Sequence, residues 1–438
     1  MGAVGLGLLR ADSWPFLTYH ATIRPFSDGA RHWLHWLYMS GLQLRAQDNE
    51  ISDSSFFNSS MVRMPQLDGV RGIAILLVLI WHYFASQTVA TPHSIVSRIR
   101  YAFSLTWSGV DLFFVLSGFL IAGILLDHRD TLNYFRVFYL RRICRIFPLY
   151  FLTVGLFLCL GATTFFRSPS FQWLFHDRLP IWSYLTFTQN ILMGARGDFG
   201  PYWLGITWSL AVEEQFYLFV PLLIYFLPRR TLVNVLLLAV LAAPLLRSVS
   251  PGFQTYVDTP WRSDSLLSGA LLAVLVRWPP FVSTVRQHRS FLLALFAALL
   301  AGAAVMTVHI DRFGAFDHFW LAGLYSTFVL IAFLGTEPGL GRVLGSPILV
   351  WFGQLSYGIY MFHQAVSGLL YGFLRHGAPK IRTLSDVGIT LAALGITLAL
   401  AALSYRFFEA PFLRFGHQVK YLPNRKTDST VHAVLKAA

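Results

Sequence analysis

Charge is scarce in this chain. Asp, Glu, Lys and Arg make up 13% of its 438 residues, against roughly 25% in a soluble domain. So few charged groups cannot clothe a chain of this length in water, which excludes a single soluble globule. Cysteine is scarcer still: Cys144 and Cys159 are the two present. Cys144 lies in a basic run and Cys159 in an apolar one, so neither a disulfide nor a metal site is expected. The start shows no charged segment followed by an apolar core, the pattern of a cleavable leader. Acidic residues number 21 against 34 basic ones, a net charge of +13. The basic residues fall in short segments between apolar blocks, where they orient helices and meet lipid headgroups. Membrane lipids are therefore expected partners, and nucleic acid is not. No internal repeat stands out.

Apolar residues are plentiful, 55% of the chain with 16% aromatic. They come in blocks able to cross a hydrocarbon core, which needs about 20 residues. Candidate spans are 70–90, 106–126, 146–164, 209–227, 231–247, 263–278, 290–309, 317–335, 348–372 and 386–408. The expected fold class is all-α: a polytopic membrane bundle of about ten helices. Leu179–Met193 is shorter and holds Thr188, Gln189 and Asn190, as a re-entrant segment would. The expected organisation is a poorly ordered cytoplasmic extension over 1–64, a membrane domain over 65–415 and a cytoplasmic tail over 416–438. Met61 and Met64 are sensible alternative starts.

Loop charge bears on topology. Residues 127–145 carry Arg129, Arg136, Arg141, Arg142 and Arg145, and residues 277–289 carry Arg277, Arg286 and Arg289. Arg229 and Arg230 follow the fourth span, and Arg414, Lys420, Arg425 and Lys426 lie in the tail. Positive loops stay cytoplasmic. All four can do so only with ten crossings, both termini inside, and 179–193 not crossing. Residues 373–385, with Arg375, Lys380 and Arg382, fit this scheme poorly.

Polar groups inside apolar spans are functional candidates. Arg71 and His82 are eleven residues apart. On an α-helix that returns to within about 20° of one face, about 16 Å higher, so both are expected on one stripe lining one cavity. Asp111 lies near the outer end of the second span, where it could orient His82 or close a helix end. Ser117 and Gly118 there permit close packing. Arg142 and Arg145, three apart, share a face and could grip phosphates with two guanidinium forks; a plain anchor is the bland alternative. Glu213 and Glu214 sit about 10 Å into an apolar span. A buried carboxyl must be paired, protonated or wetted, and one of these could hold a pocket His or bind sugar hydroxyls. Arg262 and Asp264 open the sixth span, and Tyr360 and His363 share a face in the ninth. The set suits a donor with a phosphate-bearing head inside and a reactive tip at mid-depth.

In order along the chain stand Leu67-Asp68-Gly69-Val70-Arg71-Gly72-Ile73-Ala74 with His82, then Gly109-Val110-Asp111-Leu112-Phe113-Phe114-Val115-Leu116-Ser117-Gly118-Phe119. Arg141-Arg142-Ile143-Cys144-Arg145-Ile146-Phe147-Pro148 and Trp208-Ser209-Leu210-Ala211-Val212-Glu213-Glu214-Gln215-Phe216-Tyr217 follow. Arg262-x-Asp264, Leu355-Ser356-Tyr357-Gly358-Ile359-Tyr360 with His363, and Tyr405-Arg406-Phe407-Phe408-Glu409-x-Pro411 complete the series. Together these resemble the membrane-bound acyltransferase 3 family of polysaccharide and macrolide O-acyltransferases. The resemblance implies a ten-helix bacterial enzyme of the inner membrane that uses acyl-CoA, commonly acetyl-CoA, to acylate a carbohydrate hydroxyl. It matches Arg71 and His82 to the family's ten-residue-spaced Arg and His, and Arg142 and Arg145 to its cytoplasmic arginine pair. Glu213 or Glu214 is similar to the family's carboxyl.

The mechanism that follows has Arg71, Arg142 and Arg145 holding acyl-CoA and His82 as general base. Glu213, Glu214 and Asp111 would assist catalysis, and Arg262, Asp264, Tyr360 and His363 would bind a carbohydrate or lipid-linked glycan. No metal is required. The competing reading is a transporter or flippase for a lipid-linked glycan or small anion.

Overall fold

The computed structural model describes residues 64–423 except 92, 177, 251 and 309–313. The extension read at 1–63 and the tail beyond 423 lie outside the described residues. Ten long helices carry the fold: α1 Pro65–Leu79, α2 Gly109–Asp127, α3 Tyr134–Ala162, α4 Thr207–Phe226, α5 Arg229–Val249, α6 Thr259–Leu275, α7 Arg289–Val308, α8 Asp317–Leu334, α9 Pro347–Arg375 and α10 Leu384–Ser404. Each matches one expected span. Among the described residues eight helices are long and apolar enough to cross a membrane. The two that fall short are α6, which with Gln254–Val257 forms part of a bent pair breaking by 98° before Pro279–Gln287, and α9. Polar residues dilute α9, but at about 1.5 Å per residue its 29 residues outreach a hydrocarbon core. Residues 179–193 do not cross; they form the short helix Ile181–Leu185 and the start of Gln189–Arg196.

Helix ends follow from local chemistry. Pro65 opens α1, where a missing N–H costs nothing, and Asp68 in the first turn meets Arg71 at 3.2 Å. Thr383 and Asp386 cap α10 reciprocally. Beyond Leu79 the first span does not stay α-helical: Ile80–Ala85 form a π-helical turn.

Two glycine contacts set the centre of the bundle. A Cβ on Gly118 of α2 would lie 1.9 Å from the Leu266 carbonyl oxygen of α6, and one on Gly269 would lie 2.0 Å from that of Val115. The two backbones touch, as small residues permit in membranes. The same holds between α1 and α9, where a Cβ on Gly353 would meet the Asp68 carbonyl at 2.0 Å. α2 is central: 78% of its span is buried, against 11% for α7. Outward-facing residues such as Phe219, Leu238 and Phe291 are exposed as a lipid-facing belt would be.

Basic segments gather at one end. Arg277 bridges Asp127 at 2.8 Å, and Arg129 donates to the Leu227 carbonyl at 2.8 Å. Leu132 N–H donates to the Leu422 carbonyl at 3.0 Å, and Arg289 lies 3.7 Å from Glu337. Residues 416–423 therefore fold back on the start of α3 rather than trailing away. At the opposite end Thr88 and Ile381 form an isolated parallel bridge.

Candidate active site

Two cavities lie within the bundle. The inner one, about 110 Å³, sits toward the basic end. Arg71 from α1 and Arg142 and Arg145 from α3 line it, with Ser117, Glu213, Tyr217, Tyr357 and Tyr360. Three guanidinium groups thus meet in one narrow space, as the arginine pair and Arg71 were expected to do. Of the adjacent carboxyls, only Glu213 reaches this cavity, where Ser117 Oγ donates to it at 2.6 Å. Glu214 turns away, about 100° round the helix, with its Oε1 buried and without a partner. The pairing also gives Ser117 a role beyond helix packing.

The outer cavity is ten times larger, about 1090 Å³. His82 lines it from α1's π turn, with Trp81 and Ser86 beside it. Trp107, Trp173, Tyr202, Trp208 and Tyr256 add aromatic faces, and Arg247, Asp317, His318 and Gln364 add polar groups. Val110 and Tyr360 line both cavities and form the wall between them. Tyr360 is held there: its hydroxyl lies 2.9 Å from the Ile206 carbonyl and 2.6 Å from Ser209 Oγ.

The single cavity expected for Arg71 and His82 is therefore corrected: Arg71 lines the inner one and His82 the outer. The π-helical turn begins only two residues before His82, too late to swing it off the shared face. The rise of about 16 Å between the two residues sets them at different depths along α1. Arg71 opens on one side of the wall and His82 on the other.

His82 is oriented by its own helix. Its Nδ1 lies 3.0 Å from the Val78 carbonyl oxygen. A carbonyl oxygen only accepts, so Nδ1 carries the hydrogen and, in the neutral ring, Nε2 keeps its lone pair. His363 packs against it edge-on, ring centroids 4.9 Å apart. His363 is buried and lines neither cavity, and its Nδ1 bonds the Tyr360 carbonyl at 2.6 Å. Its ring lies against His82 rather than on a cavity surface.

Asp111, Arg262 and Asp264 form wall structure. Asp111 does not meet His82; it pairs with Arg262 at 2.9 Å and accepts from Ser265 at 3.1 Å. The Arg262 guanidinium sits over Phe114, Trp208 and Tyr256 at 5.3–5.7 Å and contacts the His318 imidazole. Asp264 pairs with Arg247 at 2.6 Å. None of the three lines either cavity. Buried charges need partners, and these two carboxylates and two guanidiniums pair off as two ion pairs. Arg247 and His318 are the residues of this network that do reach the outer cavity, and sequence reasoning passed over both. Arg247 ends the apolar run of α5, where a lone arginine reads as a span boundary.

Among the described residues no cluster of His, Cys, Asp and Glu could hold a metal ion. The acyltransferase 3 family, described as an acyltransferase domain, matches residues 64–406. The chain is 26% identical over 380 residues to the "Putative O-acetyltransferase SAS0844" of Staphylococcus aureus strain MSSA476, covering 81% of this chain and 58% of that one. It is 25% identical over 393 residues to the O-acetyltransferase OatA of Staphylococcus aureus strain MRSA252, covering 83% and 60%. The chain thus spans about three fifths of the length of these relatives. No solved structure matches it significantly. The matched region runs from the first turn of α1 past the end of α10 and takes in both cavities, so this chain belongs to the acyltransferase 3 family.

Proposed function

We propose that this protein is an O-acyltransferase of the bacterial inner membrane that moves an acyl group, acetyl foremost, from acyl-CoA to a hydroxyl of a carbohydrate-type acceptor. The observation that carries the reading is the aim of His82. Its lone-pair nitrogen belongs to a residue facing a large, aromatic-lined cavity, one wall away from three arginines. The name O-acetyltransferase borne by the Staphylococcus relatives agrees with it.

The basic end faces the cytoplasm by the charge rule, which puts the narrow cavity on the side where acyl-CoA is made. Acyl-CoA would supply an activated thioester carbonyl. The donor set fits it: Arg71, Arg142 and Arg145 would grip its phosphates as charge-assisted hydrogen-bond donors. Val110 and Tyr360 mark the passage its slender arm would have to thread. In the outer cavity, Trp and Tyr faces suit the apolar faces of sugar rings, and Gln364 and His318 offer polar contacts. His82 would take the acceptor's hydroxyl proton on Nε2 as the hydroxyl oxygen bonds to the acyl carbon, and would return a proton to the departing thiolate. General base help of this kind contributes roughly 10²–10⁴ in rate.

Purified protein should bind acetyl-CoA, and Arg142→Ala with Arg145→Ala should weaken that binding at least about tenfold. His82→Gln should keep binding yet lose transfer by about 10²–10⁴. Transfer retained by His82→Gln would remove the base assignment. Transport is the second reading, because a wall between two cavities also suits alternating access; substrate flux without CoA would favour it.

A further inference from the structure

Residues 86–103 and 373–385 lie at the end of the bundle opposite the gathered basic segments. They nevertheless carry Arg98, Arg100, Arg375, Lys380 and Arg382, which the charge rule disfavours on that side. The two segments are sewn together: Val89 N–H donates to the Ile381 carbonyl at 3.0 Å, and Ile381 N–H donates to that of Gln87 at 2.9 Å.

Two adjoining hollows flank this seam and share Arg382 and Thr383. One, about 650 Å³, is apolar, with Ile80, Phe84, Ile99, Phe103 and Val387 in its walls and Arg100 at its side. The other, about 400 Å³, is polar and holds Arg375, Lys380 and Arg382 against one carboxylate, Asp386. That carboxylate is already engaged by Arg375 Nε at 2.7 Å and by the Arg382 and Thr383 N–H groups at 3.0 and 2.9 Å. Among the described residues no carboxylate pairs with Arg100, Lys380 or Arg382. An apolar trough ending in unanswered cations is complementary to one kind of molecule.

We propose that these hollows bind an anionic lipid, its chain in the apolar trough and its phosphate between Lys380 and Arg382. Burying the chain gives affinity, and the cations select a negative headgroup over a neutral one. This explains why cations persist on the disfavoured side. The site also touches the outer cavity from behind. Ile80 and Phe84 face the trough from the same π turn that sends Trp81 and His82 into the cavity.

The test uses the full chain in lipid nanodiscs carrying photoactivatable phosphatidylglycerol or phosphatidylcholine with the label in the acyl chain, followed by peptide mapping. Phosphatidylglycerol should label residues 80–103 and 381–387 about tenfold more than phosphatidylcholine. Lys380→Ala with Arg382→Ala should reduce it to the phosphatidylcholine level, and Arg382→Lys should restore most of it. Val387→Trp, which fills the trough without touching charge, should also reduce labelling. Inorganic phosphate should not compete. Equal labelling by both lipids, or labelling indifferent to charge removal and to the filled trough, would overturn the proposal. So would displacement by inorganic phosphate, which would leave a simple anion pocket.

Discussion

His82 shows how one side chain takes its role from a backbone detail. The Val78 carbonyl fixes which ring nitrogen holds the hydrogen and leaves the other unprotonated in a residue that lines the outer cavity. Sequence spacing made Arg71 and His82 legible as a pair, since ionisable groups in apolar spans are conspicuous. The wall between them was not legible, because residues of other helices, Val110 and Tyr360, build it. Glu213 and Glu214 were equally conspicuous and equally ambiguous; adjacent helical residues diverge, and only packing decides which faces inward. Glu213→Gln should therefore impair transfer strongly, and Glu214→Gln should leave the transfer rate within about threefold of wild type. Steady-state kinetics on the two variants checks this, and the reverse ranking would contradict the assignment. Asp111 makes the opposite case. Asp111→Ala strands the Arg262 guanidinium in a buried site, which costs about 3–5 kcal/mol. A large fall in thermal stability is expected in detergent; lost transfer at unchanged stability would instead make Asp111 part of the chemistry.

At the scale of elements, the helices were readable because twenty-residue apolar runs have few alternatives in a membrane. Each of the ten expected spans became a helix, although α3 begins twelve residues earlier than 146 and carries its arginines inside its first turns. The extension has a physical reason. Arg141, Arg142 and Arg145 are not loop anchors but helical residues, buried or turned into the inner cavity, so hydropathy alone placed the boundary too late. Gly118 and Gly269 were visible only as small residues, and their meaning comes from the touching backbones of α2 and α6. Gly118→Ala puts a methyl where the Leu266 carbonyl oxygen stands. Thermal unfolding should show a loss of about 1–3 kcal/mol, and the outer wall built on α2 and α6 should loosen with it. An unchanged melting temperature would mean that the two helices separate easily.

For the molecule as a whole, charge foretold which segments share an end, and the contacts of Asp127 with Arg277 and Asn133 with Lys420 bear that out. It also flagged residues 373–385 as discordant, and the bridge to residues 86–89 shows what surrounds them. What no sequence pattern foretold is the division of the polar interior into a narrow arginine-lined space and a broad aromatic one with Tyr360 between. Under the proposed reaction, that division has donor and acceptor approach from opposite faces. Sided membrane vesicles supplied with radiolabelled acetyl-CoA test this most directly. Inside-out vesicles, which expose the basic end, should incorporate label into the glycan fraction, sealed right-side-out vesicles should not, and His82→Gln should abolish incorporation. Equal labelling from both faces, or full labelling by the His82→Gln protein, would contradict transfer across the wall at Tyr360.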